Sequence, residues 1–152
     1  MKVDAAATVL WLVFAQLLLA QDPAAVEKAA AKYVPGITWQ ARSVVSGNFT
    51  CRGRKEQAIL GVSASEILVA VFVTGTNAPP ELLRYSAKAR NPKTAELAVE
   101  DLDYDPKQDI GYEPDGFQRS KSCKGLNLGD GLTDSAHIYW NRKSHRFEDW
   151  TL

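Results

Sequence analysis

The chain is short of several things, and each shortage narrows what it can be. Net charge is absent, because eighteen basic residues balance eighteen acidic ones. That removes the electrostatic reason to expect nucleic acid or an anionic membrane surface as a partner. Cysteine is limited to Cys51 and Cys123, and neither has a CxxC neighbour, so a zinc site or a thioredoxin-type centre lacks its ligands. Histidine is limited to His137 and His145, and no serine or cysteine in a recognisable nucleophile elbow accompanies them. No cysteine follows the N-terminal apolar run, which speaks against a lipid anchor there.

What is present points to export. Lys2 precedes a nearly uncharged run, Ala5 to Ala20, followed by Gln21-Asp22-Pro23. A short basic start, an apolar centre and a small terminal residue are the form of a secretory signal peptide. Residues 1–20 are therefore read as the signal and 21–152 as one exported domain, with no membrane contact after cleavage. Asp4 and Leu18 fit this pattern imperfectly, and an uncleaved anchor is the alternative. The two cysteines agree with an oxidising compartment and most simply form one disulfide. Closing a loop of roughly 70 residues, it contributes about 4 kcal/mol in a chain-entropy treatment. The composition leans toward a bacterial product, periplasmic or extracellular. Asn48-Phe49-Thr50 is a glycosylation sequon that matters only in a eukaryotic pathway.

Periodicity then predicts an α+β fold, mainly antiparallel β-sheet with one N-terminal helix. Asp22 is a good N-cap and Pro23 suits the first helical position, with Val26, Ala29, Ala30 and Tyr33 at helical spacing until Pro35-Gly36. Strands are expected over 37–45, 57–62, 66–73, around 82–85, over 95–102 (a short helix being the alternative), 135–141 and 145–152. That is about six to eight strands. The run Ile67 to Val73 is apolar at every position, as in a central strand covered on both faces. Residues 103–124 read as a long irregular loop pinned by Tyr104, Tyr112 and Phe117, a length that often carries function.

Two stretches share a plan. Gly47 to Val73 and Gly129 to Leu152 each run from a glycine-containing loop with an acidic residue into a hairpin, and a cysteine accompanies each. An offset of 78 residues places Gly53 on Gly131, Glu56 on Asp134 and Ala58 on Ala136. These loops resemble the FG-GAP and VCBS-type repeat, roughly G-D-F-N-G-D-G-x-x-D before an apolar strand. Gly47-Asn48-Phe49-Thr50 with Gly53 and Glu56 to Gly61 follows it in outline, and Gly129 to Asp134 follows its second half. The resemblance implies calcium held by carboxylates, here Asp130 and Asp134, and binding of proteins or carbohydrates. In the first unit Asn48, Thr50 and Arg52 stand where oxygen ligands are needed, and Arg52 would repel a cation. Calcium wants six to eight oxygens, and in the second unit Leu126 and Leu128 supply none. The alternative is that Asp130 and Asp134 shape the loop through its own amides. Asp101, Asp103 and Asp105 open like an EF-hand loop, but Pro106 stands at its glycine position and Tyr112 at its glutamate position.

Function has two candidate seats. Tyr139, Trp140, Phe147 and Trp150 crowd the closing hairpin, with Trp140 and Ile138 on one face and Tyr139 and His137 on the other. One set is expected in the core. The other is an exposed aromatic strip with Arg142, Lys143 and Arg146, the composition of a protein or glycan contact surface, unless both sets are buried under the long loop. The expected binding surface is thus Tyr139, Trp140, Arg142, Arg146 and Trp150. A second seat would bring His137 and His145 together across the hairpin with Asp149, as in a small hydrolase or metal-dependent enzyme. The first reading, a non-enzymatic exported interaction domain such as an inhibitor, is preferred; a calcium-stabilised module is a third.

Overall fold

The computed structural model describes residues 22–152, so the apolar segment read as a signal lies outside the described residues. The N-terminal helix α1 spans Pro23–Tyr33. Asp22 caps it by accepting from the Ala24 amide at 3.0 Å, and proline at the first position wastes no donor. Its buried face, Val26 and Ala30, packs on Trp39, Ile59, Leu68, Ala70 and Phe72.

Among the described residues nine strands form two antiparallel sheets. The first contains β1 (Thr38–Trp39), β2 (Val45–Gly47), β3 (Glu56–Val62), β4 (Glu66–Phe72) and β5 (Glu81–Ser86). The second contains β6 (Glu96–Leu102), β7 (Ser120–Gly129), β8 (Ala136–Asn141) and β9 (Arg146–Trp150), in that spatial order. The sheets stack face to face around Leu60, Val69, Val71, Leu97, Leu126, Leu128 and Ile138. Side chains alternate across a strand, which explains the uniformly apolar β4. Ile67, Val69 and Val71 enter the space between the sheets, while Leu68, Ala70 and Phe72 meet α1. Each of these apart from Ala70, fully buried, contributes about 1.5–3 kcal/mol.

Two expected boundaries change. The single strand expected over 37–45 is split into β1 and β2, separated by a 3₁₀ turn at Ala41–Ser43. Both pieces pair the same edge of β3, Trp39 opposite Gly61 and Val45 opposite Ala58. The turn absorbs the surplus residues, and the Ser43 hydroxyl replaces strand backbone by accepting from the Leu60 amide at 2.9 Å. Likewise 103–124 is not irregular throughout. It contains the four-residue helix α2 (Lys107–Ile110), and β7 begins at Ser120, which pairs Leu102 across a register shift.

The remainder, 103–119, is a strap over the outer face of the second sheet. Its Tyr104, Ile110 and Phe117 pack with Leu102, Cys123, Tyr139 and Trp150, and Arg119 pairs with Asp103 at its base at 2.7 Å. The disulfide Cys51–Cys123, with Cα atoms 5.0 Å apart, joins the loop after β2 to β7. Beside it the Lys124 amide donates to the Asn48 carbonyl at 3.1 Å. The Asn48 side chain bonds Ser122 O and the Gly53 amide, so the sequon asparagine is a structural clamp here.

Candidate interaction site

The register of the closing hairpin decides where its aromatics go. Trp140 opposes Phe147 and His137 opposes Trp150. Trp140 and Phe147 meet edge to face at 5.0 Å on the inner side, while His137 and Trp150 stack at 4.0 Å on the outer side. Tyr139, Trp140 and Trp150 are only 4, 7 and 6% exposed. The expected exposed aromatic strip is therefore absent. Both faces of the second sheet are covered, one by the first sheet and the other by the strap.

The polar members of the expected surface gather instead at the turn end of the hairpin. Asn141, buried, organises that turn. Its Oδ1 accepts from the amides of Lys143 at 2.8 Å and Ser144 at 3.1 Å. Its Nδ2 donates to Asp115 O at 2.9 Å and to Glu148 Oε2 at 2.7 Å. The His145 amide closes the turn onto Asn141 O at 2.9 Å, with His145 in the left-handed region at φ 53°. Thus fixed, Arg142 and His145 join Arg52, Trp140, Thr50 and Cys51 around a pocket of about 250 Å³. A second depression of about 360 Å³ adjoins it, lined by Glu81, Leu82, Leu83, His145, Arg146 and Phe147. His145 is the wall common to both.

This end gathers arginines that no carboxylate among the described residues pairs. Arg54 pairs with Glu56, Arg84 with Glu66, Lys124 with Asp101 and Lys143 with Asp115. Among the described residues Arg52, Arg142 and Arg146 are in no ion pair. Arg52 lies over Trp140, its guanidinium carbon 5.7 Å from the ring centre, and Arg142 reaches the Cys123 sulfur at 3.8 Å. Glu81 is the one acid in either lining. Burial raises its carboxyl above the usual range, against the pull of the Phe147 amide and of Arg52 and Arg146.

The two histidines are not brought together. His137 lies in the β8–β9 ladder opposite Trp150, whereas His145 is in the turn at the far end of β8. Asp149 opposes Ile138 on the inner side and does not orient His137. The partner of His137 is Glu100, whose Oε1 is 2.6 Å from Nδ1. Three buried polar atoms near this pair have no partner: Glu100 Oε2, Tyr104 Oη and Trp150 Nε1. Among the described residues no serine, threonine or cysteine side chain hydrogen-bonds His137.

Asp130 and Asp134 share a loop but act differently. The Asp130 carboxylate, 3% exposed, accepts from the amides of Asn91 at 2.8 Å, Leu132 at 2.9 Å and Thr133 at 2.8 Å. Those amides hold its carboxyl well below the usual range. Asp134 contributes its backbone carbonyl, to which Arg90 Nη1 donates at 2.7 Å. The same nitrogen reaches Leu128 O at 3.3 Å and Thr133 Oγ1 at 3.4 Å. Arg90 thus ties the loop together through two carbonyls and a hydroxyl, while the Asp130 carboxylate is taken up by amides. Among the described residues no three His, Cys, Asp or Glu side chains converge to hold a metal ion.

Arg52, Glu81, Arg90, Glu100 and Asn141 have roles that sequence reasoning missed. Arg52 was legible only as a charge hostile to metal. Arg90 was one of several cations in a basic loop, and Glu100 one polar position in an alternating strand. Comparison of the chain with protein-family models, curated proteins and solved structures finds no match.

Proposed function

We propose that this chain is an exported, non-enzymatic interaction domain that uses the turn end of its closing hairpin as the contact surface. The observation that carries this reading is the convergence of three arginines without ion pairs and His145 on a turn locked from within by buried Asn141. A preorganised surface loses little conformational entropy on association, and unpaired charge at a rim steers a complementary partner and selects against others. Arginine is also the charged residue enriched at binding hot spots. The disulfide supports export, since such bonds persist in oxidising compartments. The likeness of the two loop-and-hairpin units to FG-GAP and VCBS-type repeats supports binding as the class of function.

The test is site-specific photo-crosslinking in the cells that produce the protein. A photoreactive residue at Arg146 is expected to give a discrete adduct, and one at Leu132, at the other end of β8, is expected to give none. Equal adducts from both positions, or none from Arg146, would overturn the assignment.

The pair His137–Glu100 favours a second reading, because a carboxylate-oriented imidazole is suited to general-base work. In that case His137→Gln abolishes hydrolysis of some ester, glycoside or peptide substrate without loss of stability. The interaction reading predicts instead that binding survives this change.

A further inference from the structure

Resting on the reading of the hairpin end as the contact surface, we infer that its occupant is an acidic segment of a partner protein. This segment is bound in extended form between β5 and β9, with a carboxylate in the Arg52–Arg142–His145 pocket.

The topology leaves room for it. On one side of the sandwich β2 abuts β6. On the other, β5 and β9 are the terminal strands of their sheets, and the depression lined by Glu81, Leu82, Leu83, Arg146 and Phe147 lies between them. A terminal strand presents alternate backbone N–H and C=O groups without a partner strand; here the Phe147 amide is held by the Glu81 carboxyl, which the bound segment displaces. An extended peptide satisfies such groups and places alternate side chains in the adjoining pockets.

The linings name the side chains. Arg52, Arg142 and His145 form a seat of donors for a carboxylate, and arginine is the residue best shaped for that anion. The adjoining depression offers half-buried Leu83 and Phe147 to an apolar neighbour. Because His145 walls both, one continuous segment with an acidic and an apolar residue reaches both seats. A glycan fits less well. Trp140, the one indole in either lining, is buried beneath Arg52 and beside Phe147 and His145, so no open ring remains for a sugar face.

The experiment is a titration of the isotopically labelled protein, followed by its amide resonances. The probes are a synthetic peptide alternating glutamate with leucine, the same peptide with glutamine for glutamate, and a sulfated heparin hexasaccharide. The glutamate peptide is expected to shift the amides of Arg52, Leu83, His145 and Phe147, and to bind at least tenfold more tightly than the glutamine peptide. That difference is expected to vanish in Arg52→Glu/Arg142→Glu, whose substituted side chains are exposed and which should remain folded, as its melting curve checks. Equal affinity for the two peptides, or shifts confined to other residues, overturns the inference. Shifts of these amides by the hexasaccharide alone overturn the peptide and leave the contact surface standing. No shift with any probe overturns the inference alone if Arg146 still gives its crosslinked adduct, and overturns both readings if that adduct is also missing.

Discussion

Gly116 lies so close to Asn141 that a Cβ built on it would come within 1.9 Å of Asn141 Oδ1. The strap and the hairpin turn are therefore fitted to one another, and the same Asn141 oxygen holds the amides of Lys143 and Ser144. Gly116 also has φ 67°, where a Cβ alone costs about 1–2 kcal/mol. Gly116→Ala should lose that amount and more, because Asn141 must move. Gly111→Ala, at φ 79° with open space around it, should lose the backbone cost only. Hydrogen exchange separates the two: the Lys143 and Ser144 amides should exchange faster in Gly116→Ala and stay protected in Gly111→Ala.

The bond between Cys51 and Cys123 spans 72 residues of sequence, and closing a loop of that size stabilises by about 4 kcal/mol in the chain-entropy treatment. Calorimetry with and without a thiol reductant should show the melting temperature falling by roughly ten degrees or more on reduction. Cys51→Ser/Cys123→Ser should melt at the reduced value and no longer respond to reductant.

Arg90 fills the loop at Asp130–Asp134, donating to two carbonyls and a hydroxyl. Removing a charged donor costs about 1–3 kcal/mol where its acceptor is left buried and unpaired, as Leu128 O would be. Arg90→Met should therefore destabilise by about 1–3 kcal/mol. In the native protein, added calcium should leave the melting temperature unchanged, since a ligand stabilises only by binding the folded state. A rise reversed by chelator would show that the folded chain binds the cation.

Much of the fold was legible because it is written locally. The Asp22 cap, the β3–β4 hairpin and the doubly covered β4 each follow from neighbours in sequence. The surface was not legible in the same way. Alternation places Tyr139 and Trp140 on opposite faces, but it does not say what covers either face. The cover over Tyr139 is the strap, whose Asp115 carbonyl accepts from its hydroxyl. Arg90 bonds residues 38 to 44 positions away, and Glu100 finds His137 at a separation of 37. Such partners are set by sheet register, and a single charged residue in a strand or loop gives no hint of them.

Alkaline titration tests the strap. Burial pushes the Tyr139 phenol up to about 12, above the ordinary tyrosine value near 10. A phenol raised in the folded state stabilises fully below its unfolded value. That contribution is lost as pH rises, because the unfolded chain releases the proton first. The loss from Tyr139 should fall between about pH 10 and 12. Tyr139→Phe should cost about 1 kcal/mol at neutral pH, through the missing bond to Asp115, and should show a shallower decline of stability above pH 10. An unchanged decline would place the phenol in solvent and the strap away from β8.

The contact surface is tested most sharply by photo-crosslinking from position 146 in two backgrounds, the native chain and Arg52→Glu/Arg142→Glu. Both side chains are exposed and in no ion pair among the described residues, so both backgrounds should remain folded, which their melting curves check. A discrete adduct is expected in the native background, and its loss when the two charges are reversed. An adduct of undiminished yield in the reversed background would mean that the partner does not read this charge, and that Arg52 and Arg142 are not what it recognises.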